Sequence, residues 1–195
     1  EALKSKEETT YCLKLDIKKF YPSINHDILK NLLRKKFKDN DLLWLLNEII
    51  DSANGLPIGN YLSQYLSNFY LTYFDHWIKE ELKVKYYFRY ADDIVILHSD
   101  KAYLHAKLHE VKKYLSDNLD LEVKSNYQVF PVESRGIDFV GYVFFHSHIL
   151  LRKRIKQNCA RKLKRNTNRE SIASYLGWLK HCDGKHLTKK LLPNV

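Results

Sequence analysis

Apolar residues recur along the chain with two different periods, and these periods predict the order of its helices and strands. Apolar runs flanked by turn residues predict β-structure at residues 11–17, 86–98, 121–129 and 137–151. Apolar residues three and four positions apart predict helices that begin after Ser23 or Asn25, after Asn40, near Tyr61 and near Ser99. Glycine and proline break the pattern over residues 51–60, and the helix that follows should run to Leu82.

The order of one strand, three helices, a hairpin, a helix, a strand and a second hairpin predicts an α+β fold. In this class the helices pack on one face of an antiparallel sheet, and we expect a ferredoxin-like sheet of the palm type. The first strand can then lie beside the first hairpin, which brings Asp16 at its end close to Asp92 and Asp93.

The adjacent carboxylates of Asp92 and Asp93 are the most informative candidates for chemistry. They lie at the bend of the predicted hairpin over residues 86–98, and carboxylate oxygens are ligands that Mg²⁺ prefers. A solvated, Asp-rich turn explains the dipeptide equally well when it is taken alone. With Asp16, however, three carboxylates would converge, and two Mg²⁺ ions about 3.5 to 4 Å apart need shared carboxylates of this kind. The constellation predicts a nucleotidyl transferase.

The charge of the chain favours a polyanionic partner. The sequence has 33 Lys and Arg against 23 Asp and Glu, a formal net charge of +10. Residues 152–169 hold nine Lys or Arg in eighteen positions and no acid, a density that favours phosphate contacts over an ordinary solvated face. The candidate nucleic-acid-binding residues in this basic segment are Arg152, Lys153, Arg154, Lys156, Arg161, Lys162, Lys164 and Arg165.

The cysteines and the lengths of the apolar stretches bear on the cellular compartment of the protein. The three cysteines are odd in number and lack metal-ligand spacing, which is typical of reduced intracellular thiols. No apolar stretch approaches the roughly 18 residues of a membrane span, and the charged start is unlike a signal peptide. We therefore expect a cytoplasmic protein without a membrane partner.

Four segments in order resemble the palm motifs of reverse transcriptases: Leu-Asp-Ile-Lys-Lys-Phe-Tyr-Pro-Ser-Ile, Gly-Leu-Pro-Ile-Gly-Asn-Tyr-Leu-Ser-Gln, Tyr-Ala-Asp-Asp and Phe-Val-Gly-Tyr. The resemblance implies a polymerase palm in which Asp16, Asp92 and Asp93 are the catalytic carboxylates. They would bind two Mg²⁺ ions, or Mn²⁺ as a substitute, together with the backbone carbonyl of Ile17. After the palm helix, Lys124 is the nearest match to a lysine that the family often places near the leaving pyrophosphate.

The resemblance also implies a nucleotide-binding set, which comprises Phe20, Tyr21, Ile58, Gly59, Ser63 and Gln64. Tyr21 sits where the family has an aromatic steric gate against the ribose 2′-hydroxyl, although packing in the core is the alternative for this residue. Phe20 is expected to face the interior. Most reverse transcriptases have Gln where this chain has Ile58, and the segment here resembles the error-prone enzymes of diversity-generating retroelements. Simple packing of Ile58 against the palm is the alternative.

Further along the chain, Phe139, Val140, Gly141 and Tyr142 resemble the primer-grip hairpin. Gly141 would allow the primer to approach the backbone closely, although a glycine is also common in a plain hairpin. The segment around Trp178 resembles the start of the thumb, where this indole either stacks on the template or packs in the thumb core. We expect a palm at 1–148, with a remnant of the fingers at 1–10, followed by a basic connection and partial thumb at 149–195, and with the fingers largely missing.

The function predicted from the sequence is that of an RNA-directed DNA polymerase, error-prone and encoded by a diversity-generating retroelement in a bacterium or phage. Its partners would be a template RNA, a primer or cDNA strand, dNTPs and a small basic accessory protein. The alternatives are an abortive-infection, retron or group II intron reverse transcriptase, of which the second motif disfavours the last two. A catalytically silent palm used for nucleic-acid binding is a further alternative, although clustered like charges are costly without a function.

Overall fold

The computed structural model describes residues 1–165 and 169–191, with side chains over 1–162 and 169–189. The chain divides into two compact units, one formed by residues 11–129 and the other by residues 1–10 with 130–195. The strands are β1 Tyr11–Asp16, β2 Tyr86–Tyr90, β3 Asp93–His98, β4 Gln128–Pro131, β5 Ile137–Phe139, β6 Tyr142–Phe144 and β7 Ile149–Leu151. The helices are α1 Phe20–Ser23, α2 His26–Lys36, α3 Asn40–Asp51, α4 Tyr61–Tyr70, α5 Thr72–His76, α6 Lys101–Leu119, α7 Val132–Arg135, α8 Lys153–Arg165, α9 Arg169–Leu179 and α10 Lys185–Leu191.

The unit of residues 11–129 is built on an antiparallel sheet in the order β2-β3-β1-β4. As predicted, β1 lies beside the hairpin of β2 and β3, and Asp16 is the register partner of Asp93. The four residues from Ile94 to Leu97 are all buried, and because successive side chains point to opposite faces of a strand, both faces of the sheet are covered at β3. The α+β architecture predicted from the sequence is confirmed.

Polar caps set where the long helices begin. Of the two caps predicted for α2, it is Asn25 that acts, and its side chain accepts from the backbone amides of Asp27 and Ile28. Asp39 and Asp100 cap α3 and α6 in the same way. The buried faces of α2 and α6 then pack in one core with the sheet, as the apolar spacing predicted.

The helix predicted from Tyr61 to Leu82 is instead three consecutive segments. α4 ends at Tyr70, and the backbone of the next residue, Leu71 (φ −92°, ψ 0°), leaves the helical region. α5 then passes into a turn of π-helix over Trp77–Glu81, in which the Leu82 amide donates to the Trp77 carbonyl at 3.0 Å. Apolar spacing does not resolve such breaks because each segment keeps its apolar side toward the same core.

The strand predicted at residues 121–129 is also wrong over most of its length. Ile17 forms an isolated antiparallel bridge with Val123, and regular pairing resumes only at β4. Two backbone hydrogen bonds flank this bridge, from the amide of Lys18 to the Glu122 carbonyl and from the amide of Lys124 to the Asp16 carbonyl, both at 2.8 Å. These bonds bring Lys124 to the end of β1.

The second unit contains a three-stranded antiparallel sheet in the order β5-β6-β7, together with helices α8 and α9. Within this unit the β5–β6 hairpin packs on Ile155 of α8 and Trp178 of α9. The division into a palm at 1–148 and a basic connection with partial thumb at 149–195 stays a prediction. Among the helices that the structure describes, none is long and apolar enough to cross a membrane.

Candidate active site

The Asp92–Asp93 pair lies at a tight turn between β2 and β3. Tyr90 pairs with Asp93, so only Ala91 and Asp92 connect the two strands. Ala91 has a φ of 50°, a conformation that residues with a side chain rarely adopt. The Asp92 carbonyl accepts from the amide of Ile17 at 3.2 Å, which joins the turn to the end of β1. The backbone of the turn is therefore held from two directions.

Two lysines approach the carboxylates. Nζ of Lys124 lies 2.6 Å from Oδ1 of Asp16, and Nζ of Lys14 lies 3.3 Å from Oδ2 of Asp93. Lys14 precedes Asp16 by two residues on β1 and therefore shares its face of the sheet. The ammonium groups partly balance a cluster of negative charge that the antiparallel register creates.

The close packing of these charged groups shifts the pKa values of Asp92, Asp93 and Lys124. Burial raises the pKa of Asp92 above its ordinary value, and the carboxylate of Asp16 raises it further. Burial likewise raises the pKa of Asp93, against the lowering effect of Lys14. The pKa of Lys124 is raised because its ammonium group bonds to Asp16. Burial and the neighbouring negative charge therefore disfavour the ionised forms of Asp92 and Asp93.

The donor set is suited to a hard divalent cation. Every candidate ligand is an oxygen atom, and Oδ1 of Asp93 is buried without a hydrogen-bond partner among the residues the structure describes. In this conformation, no group of three or more His, Cys, Asp or Glu side chains within the described ranges is arranged to hold an ion. The three carboxylates are thus neighbours in the sheet, and the assignment of metal ligands stays a prediction.

Tyr21 is joined to the glycine-containing loop at residues 55–59. The amide of Leu56 donates to the Tyr21 carbonyl at 2.9 Å. Gly55 is buried directly against the same carbonyl and against Pro22, and a Cβ at Gly55 would lie 2.6 Å from the Pro22 Cα. The Tyr21 ring is partly buried against the core, consistent with the packing alternative, and meets Phe20 edge to face at 5.6 Å.

Two members of the predicted nucleotide-binding set need correction. Phe20 is 3% exposed and Ser63 is 2% exposed, so both side chains pack inside the unit and are not available to a nucleotide. The side chain of Ile58, by contrast, is 83% exposed, and packing against the palm does not describe it. Gly59 and Gln64 are also exposed. The accessible surface of this loop and helix start is therefore formed by Ile58, Gly59 and Gln64.

Sequence reasoning missed a cluster that holds this loop. Nε2 of His26 contacts the Gly55 carbonyl at 2.9 Å, and Nδ1 of the same ring contacts Asp51 at 3.1 Å. Lys30 donates to both carboxylate oxygens of Asp51 at 2.6 Å, and together with His26 it lowers the pKa of Asp51. His26 and Lys30 are four residues apart on one face of α2, but nothing in the sequence indicates that Asp51 and Gly55 are their partners.

At Gly141, other residues of the chain cover the predicted primer-grip hairpin. Val140 and Gly141 form a two-residue turn between β5 and β6, with φ values of 42° and 91°. A Cβ at Gly141 would lie 2.6 Å from the Trp178 ring and 3.0 Å from Ile155. Gly141 therefore permits the close approach of Trp178. The packing of this indole within the unit agrees with the second of its two predicted alternatives. Val140 remains exposed at the tip.

Most of the basic segment lies on the exposed side of α8. The side chains of Lys153, Arg154, Lys156, Arg161 and Lys162 are exposed, while Cys159 on the opposite side packs with residues of α9. Arg152 differs from the others because its guanidinium is paired with Asp138 at 2.5 Å. The side chains of Lys164 and Arg165 lie outside the part of the chain that the structure describes.

Comparisons with known proteins agree with this geometry. A family model described as reverse transcriptase (RNA-dependent DNA polymerase) matches residues 1–144. The chain is 22% identical, over 213 residues, to a protein named for intron 2 of COX1/OXI3 in Saccharomyces cerevisiae, and the match covers 72% of this chain and 25% of that protein.

Solved telomerases share the fold. Apo telomerase from Candida tropicalis, truncated from its C-terminal domain, superposes with a TM-score of 0.60 at 15% identity over 74% of this chain and 36% of that one. Telomerase from Candida albicans, in complex with a TWJ fragment of telomeric RNA, has a TM-score of 0.60 at 12% identity over 95% of this chain and 40% of that one. The chain spans less than half the length of each of these relatives.

Proposed function

Because the chain belongs to the reverse transcriptase (RNA-dependent DNA polymerase) family, we propose that it extends a primer strand by copying RNA into DNA. The observation that carries the proposal is the register of the central strands, which sets Asp16 opposite Asp93 beside the Asp92 turn. Nucleotidyl transfer needs acidic groups held rigidly where a primer 3′-hydroxyl attacks the α-phosphorus of a dNTP. Residues on paired strands meet this need better than residues on a free loop.

The metal-binding role falls to Asp16, Asp92 and Asp93, with the backbone carbonyl of Ile17 as a further ligand. The oxygen-only donor set and the orphaned Oδ1 of Asp93 support Mg²⁺, or Mn²⁺ as a substitute. When bound, two such ions would help ionise the attacking hydroxyl and would neutralise charge on the phosphates. The chain's own part is to hold the carboxylates in place and to keep Lys124, which now pairs with Asp16, near the leaving group.

Nucleotide selection falls to Tyr21 and to the exposed loop residues. Tyr21 would act as the gate against the ribose 2′-hydroxyl, and its carbonyl is already fixed by the Leu56 amide. Ile58, Gly59 and Gln64 would contact the nascent base pair. Phe20 and Ser63 support these residues from the interior. Template RNA, the primer or cDNA strand and dNTPs are the proposed partners, with the exposed cations of α8 supplying phosphate contacts.

The exposed Ile58 supports low fidelity and an origin in a diversity-generating retroelement. An apolar side chain replaces a polar contact to the nascent pair, so fewer interactions separate correct from incorrect nucleotides. We expect Ile58→Gln to lower the error frequency opposite template adenine, while Ile58→Leu leaves it unchanged. Sequencing of cDNA from both variants measures this, and an identical error spectrum in all three proteins refutes the idea. A small basic accessory protein would be a further partner in this lineage.

The yeast relative favours a second candidate, an intron-encoded reverse transcriptase. The error spectrum separates the two lineages, because the intron candidate predicts no excess of errors opposite adenine in the parent protein. A third possibility, a silent palm that binds nucleic acid through α8, predicts binding without synthesis.

The deciding experiment is Mg²⁺-dependent incorporation of dNTPs on a primed RNA template by the protein at its natural length. Asp92→Asn should reduce incorporation by about a hundredfold or more. Asp117→Asn makes the same chemical change on the exposed surface of α6 and should leave the rate unchanged. Equal rates for Asp92→Asn and the parent would refute the metal assignment, and binding without any incorporation would favour the silent palm.

A further inference from the structure

The guanidinium of Arg89 lies at the centre of a network next to the Asp92 turn. Its side chain is only 10% exposed, although it belongs to strand β2 at the edge of the sheet. Nε donates to Oδ1 of Asp75 at 2.8 Å, and one terminal nitrogen donates to Oδ2 of the same carboxylate at 2.5 Å. This two-point bond anchors Arg89 to helix α5 in a fixed orientation.

The remaining terminal nitrogen of Arg89 reaches two other elements. It donates to Oδ1 of Asn68 on α4 and to the backbone carbonyl of Ala91, each at 3.0 Å. Arg89 therefore connects helix α4, which follows the loop at residues 55–59, helix α5, which carries Asp75, and the turn that carries Asp92. A planar group with donors in a fixed fork can satisfy all these acceptors at once, whereas a lysine ammonium cannot.

The turn has a specific need for such support. Ala91 has a φ of 50°, and strained conformations of this kind persist only where the surroundings over-determine them. The carbonyl that Arg89 holds belongs to this same residue and is joined directly to the amide of Asp92. The bond from Arg89 thus acts on the peptide unit that orients the Asp92 carboxylate.

We propose that Arg89 is a positioning residue, which holds the strained Ala91–Asp92 turn in the geometry that the metal-binding carboxylates require. The proposal rests on the proposed polymerase function for its consequence, but the positioning itself can be measured without catalysis or metal. Arg89 acts through the backbone and does not contact the reacting atoms.

Arg89→Lys is the informative variant, because it keeps the positive charge beside Asp75 and gives up the simultaneous bond to Ala91. The reporter is the Ile17 amide, which is bonded to the Asp92 carbonyl and belongs to a fully buried residue. We expect its hydrogen-exchange rate, measured by NMR on metal-free protein, to rise by about tenfold in Arg89→Lys.

The matched control is Tyr87→Phe. The Tyr87 hydroxyl donates to the same Asp75 carboxylate at 2.6 Å but has no bond to the turn. Tyr87→Phe should lower the melting temperature without selective loss of protection at Ile17. Unchanged Ile17 exchange in Arg89→Lys, or an equal rise in both variants, would overturn the proposal, because Arg89 would then be a general structural residue.

A second measurement links the turn to the metal site. Electron paramagnetic resonance of free Mn²⁺ gives the affinity of each protein for the ion, and Arg89→Lys should weaken that affinity by about tenfold. Absence of Mn²⁺ binding in the parent protein would count against the metal assignment and leave the exchange result to decide the positioning role. Parent-like affinity in Arg89→Lys together with raised Ile17 exchange would confine Arg89 to holding the backbone and overturn its proposed link to the metal ligands.

Discussion

Replacement of Gly55 by alanine tests how tightly the loop at residues 55–59 is packed on the segment that carries Tyr21. Two separate effects act against the new methyl group. Gly55 has a φ of 66°, which costs an alanine about 1–2 kcal/mol. The Cβ would also lie 2.6 Å from the Pro22 Cα and against the Tyr21 carbonyl oxygen. Both are backbone atoms, which cannot rotate away as a side chain could. Overpacking of this kind costs about 1–3 kcal/mol.

The sum predicts that Gly55→Ala lowers the free energy of unfolding by about 2–5 kcal/mol. Two other glycines separate the contributions. Gly59 has a φ of 94° but open space around a Cβ, so Gly59→Ala should show the conformational cost alone. Gly177 lies inside helix α9, also in open space, and Gly177→Ala should stabilise by about 0.5–1 kcal/mol.

Urea unfolding followed by circular dichroism measures all three variants. A further consequence concerns function, since any shift of the Tyr21 carbonyl moves the proposed gate. The ratio of dNTP to rNTP incorporation should therefore fall in Gly55→Ala and remain at the parent value in Gly177→Ala. If Gly55→Ala and Gly59→Ala lose the same stability, the contact with Pro22 contributes nothing and the reasoning fails.

Three other predictions concern single side chains. Val140→Asn should raise the free energy of unfolding by about 1 kcal/mol, because asparagine tolerates the φ of 42° that strains a β-branched residue; thermal melting checks this, and a lower melting temperature would contradict it. Tyr70→Phe should destabilise by about 1–3 kcal/mol, since it removes the buried 2.7 Å bond to the Leu119 carbonyl; urea unfolding that matches the parent would contradict this. Asp92→Asn should stabilise the metal-free protein at pH 7. Folding raises the pKa of the Asp92 carboxyl above its ordinary value of 3.8, so the folded state loses stability as the pH rises through the folded pKa, and asparagine avoids this loss. The gain should therefore shrink as urea titrations move toward pH 4, and a gain that stays constant with pH would exclude this cause.

The parts of the fold that follow from local pattern could be predicted from the sequence. The hairpin at 86–98 and the capped helix α2 depend on residues close together in the chain, and both are present. The break at Leu71 and the irregular course of 121–127 depend on bonds to distant segments, which periodicity does not report.

The same distinction applies to the candidate site. The type, order and spacing of Asp16, Asp92 and Asp93 made these residues candidates. The antiparallel register of β1 and β3 then places Asp16 opposite Asp93. Nothing in the sequence indicates that Arg89 pairs with Asp75, because this partner lies 14 positions away in another element. The contact of Trp178 with Gly141 spans two structural elements, so a sequence motif alone could not show what covers that glycine.

The exposed Ile58–Gly59 corner has a consequence for how this protein can change over generations. Ile58 is 83% exposed, and nothing lies within 4 Å of a Cβ at Gly59, so substitutions at Ile58 disturb little packing. Asp16 and Asp93, in contrast, lie on strands whose neighbouring side chains form the core, where most substitutions lower the stability of the unit. Under the proposed function, copying accuracy and chemical competence would be inherited through separate parts of the molecule, and a lineage could drift in one without losing the other.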